Sequence, residues 1–248
     1  MSYLVFLLVF LIPPLFTGAY FFIKSKSIHK LYGFYGITVL ATLAMIYTTP
    51  WDNFLVANKV WWYGEDRVIG TIGYVPIEEY CFFILQTYMT GFWTFLLWLK
   101  SDKSKLPLKN SALRISVLSA LIVFEIFSIL MLKSDSSFYM GLILSWSLPI
   151  VIIQLFAGFG YIATHFKTYL AAFLPPSIYL CFADSFAIYD GIWDISKEFT
   201  LGIKLGPLPL EEATFFFMTN IMVAQGLLLF LYMRNDLKAW KTNLKKSV

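Results

Sequence analysis

Seven apolar runs, each long enough to cross a bilayer, constrain this chain more than any other feature. They fall at about 3–23, 32–50, 77–99, 111–132, 140–162, 167–183 and 209–233. A helix rises about 1.5 Å per residue, so runs of about 20 residues cross roughly 30 Å of hydrocarbon. A soluble fold of 248 residues would need a polar exterior, yet only 14% of the residues are charged, against about 25% in soluble domains. The fold class is therefore an all-α integral membrane protein with seven transmembrane helices. The first run has no cationic stretch before it and no small-residue processing site, so it is expected to stay as a helix. Pro13-Pro14, Pro149 and Pro175-Pro176 lie inside three runs, where kinks are expected.

The loop charges order the runs. Lys24, Lys26 and Lys30 follow the first, Lys100, Lys103, Lys105 and Lys109 the third, and His165 and Lys167 the fifth. Arg234, Lys238, Lys241, Lys245 and Lys246 follow the seventh. The alternate loops are acidic, with Asp52, Glu65 and Asp66 in one and Asp184, Asp190, Asp194 and Glu198 in the other. Positive charge stays on the cytoplasmic side, which predicts an N-terminus outside and a C-terminus inside. The net charge of +4 is spent on this orientation and gives no sign of nucleic acid. Cys81 and Cys181 fall inside apolar runs and read as small buried hydrophobes. His29 and His165 sit among lysines and read as interfacial.

Two stretches repeat. Asp52, Phe54, Trp61 and Gly70 match Asp184, Phe186, Trp193 and Gly202. After a one-residue shift Gly73 matches Gly206, Pro76 matches Pro209, Glu78-Glu79 match Glu211-Glu212, and Phe82-Phe83 match Phe215-Phe216. A spaced set of this kind is a duplication. Each half has three spans, and the unmatched fourth restores the orientation of the second half. The expected architecture is two parallel three-helix repeats, 1–110 and 139–248, joined by a linker helix at 111–138 and related by an axis along the membrane normal. Both Pro-x-Glu-Glu motifs then open a helix on the outer side.

Proline followed by acids suits a helix N-terminus in any protein. Here each motif runs straight into apolar sequence, and ionisable groups at a membrane helix entrance mark function unless they pair or face a cavity. Glu78 and Glu211 lie one turn above Phe82 and Phe215; Glu79 and Glu212 lie above Phe83 and Phe216, with Gln86 and Thr219 further along. Burial and like charge both disfavour a carboxylate. The pattern predicts a protonated acid beside its conjugate base, facing aromatic rings that can shelter a cation. Asp52 and Asp184 read as supporting acids, and Trp61 and Trp193 as lining. Asp190 and Asp194 read equally well as solvated loop acids. No metal-spaced cluster or cofactor motif is present, so neither a metal nor a cofactor is expected.

The paired P-I-E-E and P-L-E-E motifs, each after an Asp…Trp loop and before aromatics, resemble the flavin-independent lycopene cyclases. These occur as two small membrane subunits or as a fused chain, including the cyclase part of fungal bifunctional enzymes, and the sequence looks like the fused form from the first span to the seventh. The resemblance implies acid/base cyclisation of the ψ-ends of lycopene, or a related acyclic carotenoid, to β-ionone rings without net redox change. It gives the acid/base role to Glu78, Glu79, Glu211 and Glu212 only; Phe82, Phe83, Phe215 and Phe216 are read as cation-stabilising lining from their place one turn below the acids. The expected partners are the carotenoid, the lipid bilayer and possible neighbours in the carotenoid pathway; the residues set no oligomeric state.

Other functions fit some of the same residues. A carotenoid hydratase shares the protonation step and lets water capture the cation. A prenyltransferase would need an Asp-rich pair for magnesium diphosphate, which is missing. The last span has no lysine for a retinal Schiff base, which disfavours a photoreceptor. A proton-coupled transporter also uses paired acids.

Overall fold

The structure is a computed structural model that describes the backbone of residues 1–246 and the side chains of residues 1–235. Among the described residues seven helices are long and apolar enough to cross a membrane. They are α1 (Tyr3–Lys24), α2 (Lys30–Ala57), α3 (Ile77–Lys100), α4 (Ser111–Met131), α5 (Phe138–Thr164), α6 (Phe166–Tyr189) and α7 (Leu210–Lys246). The chain is thus a predominantly helical, multi-pass membrane protein. The side chains of Lys238, Lys241, Lys245 and Lys246, which contribute to the expected orientation, lie outside the described residues.

Among the described residues six short strands join these helices: β1 (Trp61–Tyr63), β2 (Thr71–Ile72), β3 (Val75–Pro76), β4 (Trp193–Ile195), β5 (Lys204–Leu205) and β6 (Leu208–Pro209). β1 pairs with β4 in antiparallel register, Trp61 facing Ile195, Trp62 facing Asp194 and Tyr63 facing Trp193. Arg67 braces the same contact, donating to the Asp190 carbonyl at 3.0 Å. The long loops after α2 and α6 therefore meet at one end of the bundle. β2–β3 and β5–β6 are tight hairpins with Gly73 (φ +69) and Gly206 (φ +67) at their turns, a conformation that L side chains rarely adopt. Each hairpin ends on a proline and leads directly into α3 or α7. The amide of Ile77 bonds the Gly70 carbonyl at 3.0 Å, and that of Leu210 the Ile203 carbonyl at 2.9 Å.

α3 and α7 form the centre and are the most buried spans. Gln86 donates to Thr219 Oγ1 at 2.8 Å, and Thr90 to Asn220 Oδ1 at 2.5 Å, so polar groups facing each other across the centre satisfy one another. α4 is the least buried span and packs on α5.

Some sequence expectations change. α2 and α6 run on past Asp52 and Asp184, which become buried helix residues rather than loop acids. The apolar count drops at these acids, but their surroundings are protein interior and the helix continues. The irregular backbone of α5 lies at Gly158 (φ −148, ψ 32), not at Pro149; a Cβ there would stand 2.3 Å from Leu229 Cδ2. Pro13 lacks a donor, and the turn before it, Leu7–Leu11, widens to π geometry. Cys81 is exposed on the outside of α3, not buried. His165 is buried at the junction of α5 and α6, its ring stacked on Tyr232 at 4.0 Å.

Candidate functional site

The first turns of α3 and α7 carry the two glutamate pairs. Consecutive helix residues point about 100° apart, and the pairs divide accordingly. Glu78 Oε1 accepts the Ile69 amide at 2.8 Å, and Glu211 Oε1 accepts the Leu201 amide at 2.7 Å. Both carboxylates thus turn back into their own loops and fix the segment before the hairpin. Glu79 and Glu212 turn the other way and line one common cavity.

Asp52, Asp184, Phe82, Phe83, Phe215, Phe216, Trp61 and Trp193 line the same cavity. Of the sequence-derived site residues only Glu78 and Glu211 lie outside its wall. Asp52, Asp184 and Glu212 are buried, whereas Glu79 is partly exposed. Asp52 is within electrostatic reach of both Glu79 and Glu212, and Asp184 of the same two. No lysine, arginine or histidine is among the lining residues.

The hydrogen bonding of the four acids is graded. Glu79 Oε2 accepts from the Tyr3 hydroxyl at 2.6 Å and from the Tyr63 hydroxyl at 3.3 Å. Glu212 Oε1 accepts from Tyr139 at 2.5 Å. Asp184 Oδ1 accepts from Trp193 Nε1 at 3.0 Å. Both oxygens of Asp52 are buried without a hydrogen-bond partner in the structure. In the loop, burial together with the neighbouring Glu79 and Asp52 pushes the Tyr63 phenol well above its usual range.

Tyr3, Tyr63 and Tyr139 were not foreseen from the sequence. Tyr3 and Tyr139 open the first and fifth spans, whereas the repeat is read in the sequence only from Asp52 onward. A tyrosine near the start of a span is the one signal the sequence offers for either. The aromatic wall is also larger than the Phe-Phe pairs suggested. Trp51 stacks on Phe215 (5.7 Å, 3°) and on Trp146 (4.7 Å, 20°), while Trp193 packs edge-on against Phe6 (5.2 Å, 84°).

Four acids with no cation among the lining residues, two of them held by phenols and all enclosed by aromatic faces, make a site in a membrane protein that can hold and pass protons beside an apolar ligand. The sequence matches the lycopene cyclase family over residues 1–97 and 136–233. It is 42% identical to a lycopene beta-cyclase of Halobacterium salinarum over 79% of this chain and 81% of that protein. It is 33% identical to the bifunctional lycopene cyclase/phytoene synthase of Aspergillus niger, over 77% of this chain and 34% of that one. The corresponding protein of Phycomyces blakesleeanus is 33% identical over 88% and 35%. No solved structure matches the chain significantly. The chain belongs to the lycopene cyclase family and is an enzyme of carotenoid biosynthesis.

Proposed function

We propose that the protein closes the ψ-ends of lycopene into β-ionone rings by proton transfer alone, within the cavity shared by Glu79, Glu212, Asp52 and Asp184. The single observation that carries this is the convergence of four carboxyl groups on one aromatic-walled cavity with no cation in its lining. Like charges in a low-dielectric pocket do not all ionise, so one carboxyl group holds a proton to give while another can accept one. The proton adds to the terminal double bond and leaves a tertiary cation. The inner double bond then supplies the electron pair that closes the six-membered ring, and the cation moves onto the ring. Loss of a neighbouring proton to a carboxylate restores a double bond, so no redox partner is required. The faces of Trp51, Phe82, Phe83, Phe215 and Phe216 offer cation–π stabilisation of about 0.5–2 kcal/mol each.

Glu78 and Glu211 act in this scheme as positioning residues, because their carboxylates hold loop amides and set where Glu79 and Glu212 point. The proposed architecture is two parallel repeats joined by α4. It is supported by two separately matched stretches, 1–97 and 136–233, and by a strand register in which Tyr63 faces Trp193, the repeat counterpart of Trp61, while Trp61 faces Ile195 two residues on. The alternation of lysine-rich and acid-rich loops supports a cytoplasmic C-terminus. Expression in lycopene-accumulating bacteria tests the activity: cyclic carotenoids of unchanged mass are expected. A product heavier by one water would indicate hydration, and unchanged lycopene from well-expressed protein would sink the assignment.

A further inference from the structure

A second cavity lies beneath the acids. It has a volume of ≈ 560 Å³, lies between α2, α3, α5 and α7, and is partly open to the outside. Trp51, Phe83 and Phe215 belong to the walls of both cavities, so the lower one begins where the acid site ends. α2 and α5 both pack on α7 but hardly on each other. The Tyr47 hydroxyl bridges them, donating to the Trp146 carbonyl at 2.8 Å. Along α2 the wall runs from Trp51 to Leu40, about 16 Å at 1.5 Å per residue, roughly half the hydrocarbon thickness. Leu43 and Ile46 line it and are also 55% and 66% exposed, which opens the slot sideways into lipid. Some of its polar groups pair with one another, Gln86 with Thr219 and the Gln154 amide with the Met222 carbonyl at 3.2 Å, while Gln154 Oε1, Trp51 Nε1 and Trp146 Nε1 have no hydrogen-bond partner among the described residues.

We infer that this slot between α2 and α5 holds the extended chain of a long linear polyene and admits it sideways from the bilayer. This rests on the function proposed above. The ligand must be apolar, because the slot opens into lipid between Leu43 and Ile46. It must be long, because the wall runs about 16 Å along α2 between two helices that hardly touch each other. One end must be reactive, because the slot terminates at Trp51, Phe83 and Phe215, the rings that also face the acids. The stacked Trp51–Phe215 pair is the passage that a chain end crosses to reach Asp52, Glu79 and Glu212.

The test plugs the slot from its two opposite walls, with Ala44→Trp on α2 and Ile150→Trp on α5, neither of which lines the acid cavity. Lycopene binding to detergent-purified protein is read from the shift of its visible absorption, and turnover from product analysis. Each plug is expected to weaken binding at least tenfold and to lower turnover in parallel. Glu79→Gln and Glu212→Gln are expected to bind lycopene with near wild-type affinity and to cyclise it about 10²–10⁴-fold more slowly. Should a tryptophan variant fail to fold, Leu43→Ala and Ile46→Ala at the exposed lip replace it, with a three- to tenfold loss of binding expected. Wild-type binding in the plugged or lip variants would overturn the slot. Wild-type protein that binds lycopene without cyclising it would overturn the proposed function and leave the slot standing.

Discussion

The Tyr3 hydroxyl donates to Glu79 Oε2 at 2.6 Å, joining the first turn of α1 to the first turn of α3 across 76 residues of sequence. Tyr3 is itself anchored, since its amide bonds the Arg67 carbonyl at 2.8 Å. Tyr139 stands likewise over Glu212, its amide bonded to the Phe199 carbonyl at 3.1 Å. Each cavity glutamate is thus held by a phenol whose backbone is pinned to the loop preceding that glutamate.

Tyr139→Phe leaves Glu212 without its phenol, whereas Tyr3→Phe leaves Glu79 with the longer bond to Tyr63. A hydrogen bond to a charged group contributes about 1.5–3 kcal/mol. The expected loss in cyclisation rate is about ten- to a hundredfold for Tyr139→Phe and smaller for Tyr3→Phe. Initial rates on protein of matched folding check the order.

The two members of each glutamate pair are expected to separate by phenotype. Glu79→Gln and Glu212→Gln should lower cyclisation by about 10²–10⁴, the usual range for loss of a general acid or base, with little change in thermal unfolding. Glu78→Ala and Glu211→Ala strand the Ile69 and Leu201 amides and should cost about 1–3 kcal/mol of stability. Melting curves beside activity assays check the split; equal activity losses with no change in melting for all four would refute it.

Both hairpin glycines have positive φ but different surroundings. A Cβ at Gly206 meets nothing within 4 Å, whereas one at Gly73 would lie 2.4 Å from Asn53 Oδ1, the acceptor of the Tyr74 amide at 2.9 Å. Gly206→Ala should cost about 1–2 kcal/mol for the left-handed backbone. Gly73→Ala should cost about 1 kcal/mol more through the displaced hydrogen bond. Thermal unfolding of the two variants measures the difference.

The raised phenol of Tyr63 gives an alkaline limit. A group that holds its proton more tightly when folded stabilises the fold fully below its unfolded pKa, about 10 for tyrosine. That stability is lost as pH rises through the higher folded value. Unfolding temperature should therefore be independent of Tyr63 up to about pH 10 and fall above it, less steeply in Tyr63→Phe. Melting curves between about pH 8 and 11 test this; identical slopes for the two proteins would count against it.

Much of the fold was legible because lipid imposes a coarse rule: every span shows itself as a long apolar run. The doubled Pro-x-Glu-Glu was legible because acids before apolar sequence are costly in a membrane. Hydropathy misplaced the ends of α2 and α6, since it treats Asp52 and Asp184 as departures from the bilayer when they are enclosed by protein. The division of labour within each pair was also hidden. Helical geometry says that Glu78 and Glu79 diverge, but which one faces the centre depends on where the opposing helix α7 stands. Tyr3 escaped notice because a single tyrosine at a span start is ordinary at a membrane interface, and only its tertiary partner distinguishes it.

The strand pairing of β1 with β4, centred on Trp62 and Asp194, bears on how the chain could be divided. Each half contributes one strand, and neither half alone presents the backbone groups that its own strand needs. A polypeptide severed in the loop between α3 and α4 would leave two pieces that each carry an open edge shaped for the other. In such a pair the clasp would serve as an address label, and the wall of the acid site that Trp61, Tyr63, Trp193 and Ile195 build would be complete only once the two pieces had met.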